Sequence, residues 1–536
     1  MGGLSYGLPY FVHPDESLLV PIAMGVLAGD PNPHFFNWPS LYMYVLAGVF
    51  AAYGLVLRLT EGVSVVAAFV RDPVPFYLLG RVVTATLGTL TVGLCYRLGA
   101  RLYGPGVGIA AGLFLAVNLQ HVVDSHFATA DVPVTCLVLA AMLATVGYWE
   151  RGRLSTAFLA GVLGGLAASA KYNGALVGAA FLVAHALRWR TSGASWPGLI
   201  TGRVLPVWLG GAVVGFLVGT PFAALAPGEF LRGLFGEVRA IGTVQFGNEG
   251  DLPGLAFHLF HSLPQAMGAA SLLCAGAGLA VALWRRGPAD LILLAFPLPY
   301  LGIIATWDSR FERYTVPLLP LVSILAAVGV ATVASRVGRR RGLVFATLAV
   351  LVAAPAAARV LYFEILLARP DSREVAGQWM ERSLPASSRV AMEPYSPPVS
   401  WTDAAGRVQR VTSPPLGSPP TGLAPKLPRP RPAPWVSGLR IAPLVEYDFE
   451  ALRARGMTYV VLSSFMYKRH TGACASFPAA CRFYRDLDAR ATLVYAIEPI
   501  PEDRRLWMGD IYAPVSDVFA RTRPGPIIKI YRLPGA

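Results

Sequence analysis

The sequence predicts a polytopic α-helical membrane protein that closes on a soluble α/β domain. Three observations carry the prediction. First, 54% of the 536 residues are hydrophobic and only 14% are charged, with a mean hydropathy of +0.52. An average soluble domain carries about 25% charged residues. Second, apolar stretches near the roughly 20 residues needed to cross a hydrocarbon core recur between residues 76 and 365. Third, residues 366–536 change character: prolines come in runs, charges are frequent, and no spanning stretch occurs. The chain therefore reads as an outer loop over 1–75, a membrane domain over 76–365, and an extracytoplasmic domain over 366–536.

The membrane domain reads as about ten spans, near 76–98, 105–123, 130–149, 154–170, 173–189, 203–225, 264–284, 288–306, 315–335 and 342–365. Arginines mark every second loop. Arg97 and Arg101 follow the first span, Arg151 and Arg153 the third, and Arg188 and Arg190 the fifth. Arg285 and Arg286 follow the seventh, and Arg336, Arg339, Arg340 and Arg341 the ninth. Positive loops stay in the cytoplasm, which puts residues 1–75, the other alternate loops and the whole C-terminal domain outside the cell membrane. The same pattern explains the net charge of +14 without nucleic acid, because the charges sit in small clusters between apolar segments. Residues 40–57 are also apolar. Crossing there would reverse the parity, so they read as a helix in or dipping into the outer interface, with Tyr42, Tyr44 and Tyr53 at headgroup level, and a true span is the alternative.

Of the five cysteines, Cys95, Cys136 and Cys274 lie in apolar segments and read as small core residues. Cys474 and Cys481 form a Cx6C pair in the outside domain, where a disulfide persists, and are expected to bridge around Pro478. No zinc-type spacing, CxxC, Walker loop, GxGxxG or HExxH is present. The sequence thus calls for no cofactor, although a divalent metal is compatible with it. An activated substrate would come from the membrane rather than as a cytosolic nucleotide.

Four polar clusters fall in the outer loops. His13-Pro14-Asp15-Glu16 offers paired carboxylates beside a membrane surface, a general-base arrangement or a solvated acidic turn. Asp124-Ser125-His126 through Asp131 lies at the outer end of one span and the start of the next, and Asp131 suits either catalysis or helix capping. Lys171-Tyr172-Asn173-Gly174 follows a Gly/Ala-rich span. Lys171 there could hold an anion or snorkel to the interface. Arg310 and Arg313, in the stretch from Trp307 to Tyr314, suit a phosphate headgroup, or pair with Glu312 and Asp308 at the surface.

These clusters, in this order, resemble the GT-C membrane glycosyltransferases of the protein O-mannosyltransferase and aminoarabinose-transferase type. The matching stretches are His13–Glu16, Pro39–Tyr42, Ser125–Pro133 (SHFATADVP), Lys171–Gly174 (KYNG), and Arg313-Tyr314 leading into Pro317 and Pro320. The resemblance covers roughly residues 8–365. It implies transfer of a sugar, with inversion, from a polyprenyl-phosphate carrier to a hydroxyl on a protein, lipid or polysaccharide outside the membrane. It further implies Asp15 as base beside Glu16, Asp131 in the same site, and Arg313 on the carrier phosphate with Lys171 and Arg310 in reserve. His13, His126 and Tyr314 are secondary candidates. Two departures stand out. The family's acidic loop follows a spanning helix, which this sequence does not show before His13. Trp38 also stands where the family often has Lys or His, with His34 and Asn37 nearby.

In the tail, helices are expected over 371–384 and 446–455 and strands over 388–392, 457–463 and 527–533, an α/β pattern. Residues 411–435 hold prolines in runs and read as an irregular loop. This domain suits acceptor recruitment or a structural cap equally. The competing readings are a transporter or lipid-carrier flippase, which would favour mid-membrane polar residues and an internal repeat, and a non-catalytic assembly protein.

Overall fold

Glycine and proline punctuate the apolar runs, and the helices start and stop at them. Val74–Tyr103 ends at Gly104, whose φ of 97° favours glycine, and Pro105 opens Pro105–Ala116, where its missing N–H costs nothing. The computed structural model describes residues 2–10, 13–191, 202–248, 252–386, 388–402, 408–411, 439–444 and 446–535. It divides into two units. The membrane unit is Leu18–Thr243 with Leu252–Val360, and the other is Met1–Ser17 with Val244–Asp251 and Leu361–Ala536.

The ten expected segments are built of helix, though not each as one long apolar stretch. Among the described residues five stretches are long and apolar enough to cross: Leu41–Glu61, Val74–Tyr103, Asp131–Arg151, Gly254–Arg285 and Glu312–Ser383. The pair Pro105–Ala116 and Leu119–Ser125, bent by 63°, makes a sixth if taken as one span. Leu154–Ala170, Val204–Gly219 and Pro288–Ile304 are shorter apolar helices. Local chemistry sets the breaks. The Asn118 side chain accepts from the His121 N–H and starts a new helix inside the segment 105–123. Phe296-Pro297 interrupts 288–304 in the same way that Thr220-Pro221 ends 204–219.

Helices 154–170 and 204–219 meet backbone to backbone through two pairs of glycines four residues apart. A Cβ at Gly161 or Gly165 would lie 2.0 Å from Trp208 O or Ala212 O, and one at Gly211 or Gly215 would lie 2.4 and 2.1 Å from Phe158 O and Val162 O. Small residues at this spacing let membrane helices approach closely, so that packing and interhelical hydrogen bonds replace the missing hydrophobic drive. Gly278 and Gly329 join 263–285 to 319–334 likewise.

The arginine-bearing helix ends gather at one end of the unit. Arg101 donates to Glu150 at 2.8 Å, Arg188 to Trp149 O at 2.9 Å, Tyr103 to Asp290 at 2.9 Å, and Arg285 to Asp290 at 2.7 Å. The Leu41–Glu61 helix corrects one detail of the expectation. Tyr42 is not at a headgroup surface: it is 2% exposed and its hydroxyl meets Thr84 Oγ1 at 2.5 Å. Phe50 and Tyr53 pack edge-on against Phe76.

The second unit is α/β. A five-stranded sheet has the order β4-β1-β5-β7-β6, with β1 Arg389–Met392, β4 Arg440–Pro443, β5 Tyr459–Ser463, β6 Thr492–Ile497 and β7 Ile528–Arg532. β1 runs parallel to β4 and β5, and β7 antiparallel to β5 and β6. A separate hairpin joins β2 (Val399–Thr402) to β3 (Val408–Val411). The expected helices and strands are present, as Ser372–Ser383, Phe449–Ala454, β1, β5 and β7. The stretch 411–435 lies outside the described residues after Val411. Cys474 and Cys481 form the expected disulfide, with Cα atoms 5.7 Å apart. Glu393, just past β1, is fully buried. It accepts from the Ser463 N–H at 2.8 Å and the Tyr484 hydroxyl at 2.5 Å, and burial pushes its carboxyl up to about 8. His470 meets the same Tyr484 hydroxyl at 2.8 Å, and burial pushes the imidazole down to about 4.

Candidate functional site

The far end of the membrane unit from the arginines collects buried ionisable groups. Helix 154–170 stops at Ala170, and Lys171 leaves it in extended conformation (φ −156°, ψ 133°). Its ammonium does not snorkel. It donates to Asp131 Oδ1 at 2.6 Å, with side-chain exposures of 16% and 4%. Asp131 is the first residue of helix 131–151 and makes no cap there: Ala130 is the capping residue, and the carboxylate turns to Lys171 instead. Neither capping by Asp131 nor snorkelling by Lys171 is seen; the two side chains pair with each other. A buried pair of this kind is costly to break, because the surviving partner is left charged and unpaired.

A 3-10 helix, Glu312–Leu318, completes the floor. It places the Tyr314 ring 5.4 Å beneath the Lys171 ammonium. Tyr314 is 7% exposed, lies edge-on to Trp307, and meets Ser309 Oγ at 3.4 Å. Tyr300 ties the two turns together. Its buried hydroxyl accepts from Asn173 Nδ2 at 2.8 Å and donates to Tyr314 O at 3.1 Å. The Arg313 guanidinium lies 5.0 Å over the Phe311 ring, and its charge reaches Asp124. Asp124 is 5% exposed and accepts from Gln120 Nε2 at 2.7 Å. Its charge also reaches Asp131, so the two carboxylates that bound the Asp124–Asp131 stretch act on each other.

The remaining candidates are placed as follows. Arg310 sits 3.9 Å from Asp308. Glu312 does not make the alternative surface pair with Arg310: His261 Nε2 lies 2.9 Å from Glu312 Oε1 instead. His126, 8% exposed, turns Nδ1 to Val122 O at 2.8 Å. Glu237 was missed because its helix, Pro227–Ile241, fell inside the expected loop 226–263. Burial pushes its carboxyl up, against the pull of Lys171, Arg313 and hydrogen bonds from the Asn37 and Trp38 side chains. Trp38, at the position that departs from the family pattern, thus makes a polar contact of its own. Among the described residues no three His, Cys, Asp or Glu side chains converge as a metal cluster.

Asp15, Glu16 and His13 belong to the other unit. They form a tight turn in which the Ser17 hydroxyl donates to Pro14 O at 2.6 Å and Glu16 opens helix Glu16–Leu27. All three are buried: Asp15 is 8% exposed, Glu16 0% and His13 3%, so the solvated-turn reading does not hold. The His13 ring lies 5.2 Å from Tyr512. The charge of Asp15 reaches Tyr395, whose φ of 60° is rare for a non-glycine residue. Farther along the N-terminal segment, Tyr6 donates to Asp371 at 2.9 Å, which Arg373 grips at 2.8 Å.

Residues 78–209 match the family described as dolichyl-phosphate-mannose-protein mannosyltransferase. The match contains both SHFATADVP and KYNG, and it bears out the GT-C resemblance drawn from them. A comparison with curated protein sequences returns no match. Among solved structures, the chain is similar to apo ArnT from Cupriavidus metallidurans at 17% identity and a TM-score of 0.44, covering 70% of this chain and 77% of that one. It is also similar to the Archaeoglobus fulgidus oligosaccharyltransferase in its apo form, at 12% identity and a TM-score of 0.47, covering 99% and 88%. A third similarity is to the arabinofuranosyltransferase AftD from Mycobacteria, at 14% identity and a TM-score of 0.38, covering 91% and 35%.

Proposed function

We propose that this chain is a membrane glycosyltransferase that moves a sugar from a polyprenyl-phosphate carrier to a hydroxyl outside the cytoplasmic membrane, with inversion. One observation carries the reading. In and beyond the segment that matches the mannosyltransferase family, buried Asp124, Asp131 and Glu312 and the half-buried Lys171 and His261 paired with two of them lie at helix ends away from the arginines. Intramembrane ionisable groups are expensive and mark function by default. In this reading the arginine-rich helix ends face the cytoplasm, as the positive-inside bias supports, and the polar helix ends face out.

The chemistry asks little beyond placement. A lipid-linked phosphate is already a good leaving group, so the site needs a base, a charge clamp and orientation. In this reading Arg313, supported by Lys171 and Arg310, holds the phosphate as negative charge builds on it. Asp15 takes the acceptor proton, with Glu16 tuning its charge and Asp131 fixing Lys171. The acceptor oxygen attacks the anomeric carbon from the face opposite the phosphate, which departs with the bonding electrons. His13, His126 and Tyr314 shape the surroundings. The domains divide as outer loop 1–75, membrane domain 76–365 and extracytoplasmic domain 366–536. Asp15→Asn tests the assignment: transfer should be abolished while membrane insertion and folding persist, and activity within a few-fold of the parent would sink it.

A further inference from the structure

Glu312 is 1% exposed, and its two carboxylate oxygens are treated differently. Oε1 lies 2.9 Å from His261 Nε2, while Oε2 is buried with no hydrogen-bond partner. A buried carboxylate with an unfilled acceptor is expensive, and such groups in native proteins ask for an explanation. Its position supplies one. Glu312 precedes Arg313 and stands two residues from Tyr314, whose ring lies under the Lys171 ammonium. Helix 254–285 brings His261 to it from a five-residue π-helical turn, His258–Ser262, a local widening often found at functional sites.

We infer that the open oxygen of Glu312 receives a hydroxyl of the sugar being transferred, which makes Glu312 the donor-sugar recognition residue. The inference rests on the function proposed above. A carboxylate only accepts hydrogen bonds, so its ligand must bring an O–H or N–H. Of the three parts of a polyprenyl-phosphate sugar, the tail has no donor, and the ionised phosphate is an acceptor that a carboxylate repels. Only the sugar fits. The His261 bond holds the carboxylate in place, so the sugar meets an acceptor that needs no reorganisation on binding.

The test compares two probes on the full chain in lipid nanodiscs, without acceptor: polyprenyl phosphate, and the same carrier loaded with mannose. Glu312→Gln should weaken the loaded carrier about tenfold or more, the scale of a lost hydrogen bond to a charged group. The bare carrier should stay within about twofold. Glu312→Asp draws the open oxygen back by one methylene while keeping the charge, and should show the same selective loss. It serves where the Gln variant does not fold. Equal weakening of both probes would make Glu312 a scaffold residue, and no weakening of either would leave water or an acceptor hydroxyl on Oε2. Each of these outcomes overturns the inference. A wild-type chain that does not bind the bare carrier would overturn the function reading itself, and this inference with it.

Discussion

The two ends of the membrane unit carry similar residues and use them differently. At the arginine end the cations stay accessible even where a carboxylate is buried: the side chain of Arg101 is 28% exposed opposite Glu150 at 34%, and that of Arg285 is 45% exposed opposite Asp290 at 1%. At the other end Lys171 is 16% exposed and His261 12%, and their carboxylate partners Asp131 and Glu312 are buried almost completely, while Asp308 beside Arg310 is 52% exposed. Accessible pairs at a helix end anchor and orient at little energetic consequence. Buried ones are retained at a cost, and in a membrane protein that cost points to function. Counting charges therefore finds the helix ends that carry cations, whereas burial separates the two kinds of end.

The sharpest way to break this comparison is to remove one partner at the buried end. Lys171→Met leaves Asp131 charged and alone. It should lower stability by about 3–5 kcal/mol and abolish transfer, read by thermal unfolding and by turnover. Adding Asp131→Asn should recover most of the stability and none of the activity. Recovery of both would mean the pair is structural. Arg313→Ala should come next, raising KM for the lipid-linked sugar by tenfold or more with a smaller change in kcat. A change confined to acceptor KM would move Arg313 to another subsite.

A third prediction concerns the soluble unit and its pH dependence. The folded-state value of Glu393, about 8, lies above its ordinary 4.5, so the folded form binds the extra proton and stability falls as pH rises across that window. His470, pushed down to about 4, acts oppositely and costs stability as pH falls below 6.5. The two offset each other at acid pH, which leaves Glu393 alone above 6.5. Melting temperature should therefore drop between pH 6.5 and 8, and Glu393→Gln should flatten the drop. An unchanged slope would contradict the assignment. The smallest effect belongs to the accessible end: Arg101→Gln should cost less than about 1 kcal/mol and leave KM unchanged. A loss as large as that of Lys171→Met would erase the distinction between the ends.

Which parts were legible in the sequence follows from the range of the interactions. Hydrophobic runs, alternating arginines, β1, β5, β7 and the Cx6C bridge are local or periodic signals. The SHFATADVP and KYNG stretches stood out because each is short and polar between apolar runs. Helix breaks were not legible, since Asn118 and Thr220-Pro221 sit in segments whose mean hydropathy still suits a span. Nor were the partners. Glu312 reads as the mate of a neighbouring arginine until helix 254–285 delivers His261 across 51 residues of sequence. Tyr300 looks like an ordinary apolar-span residue until its hydroxyl joins Asn173 to Tyr314. The paired glycines at 161 and 165 and at 211 and 215 were the one available signal for close packing that periodicity alone overlooks.

The central claim is that a lipid-linked sugar is consumed at the polar end, and single-turnover kinetics test it most directly. The full chain in nanodiscs would be mixed with polyprenyl-phosphate mannose bearing a labelled sugar, together with envelope acceptor extract, and release of free polyprenyl phosphate would be followed. The account predicts release coupled one-to-one to labelled acceptor, lost in Asp15→Asn and in Lys171→Met and kept in Arg101→Gln. Intact carrier appearing on the opposite leaflet of a vesicle, with no bond broken, would contradict it and make the chain a lipid-carrier flippase.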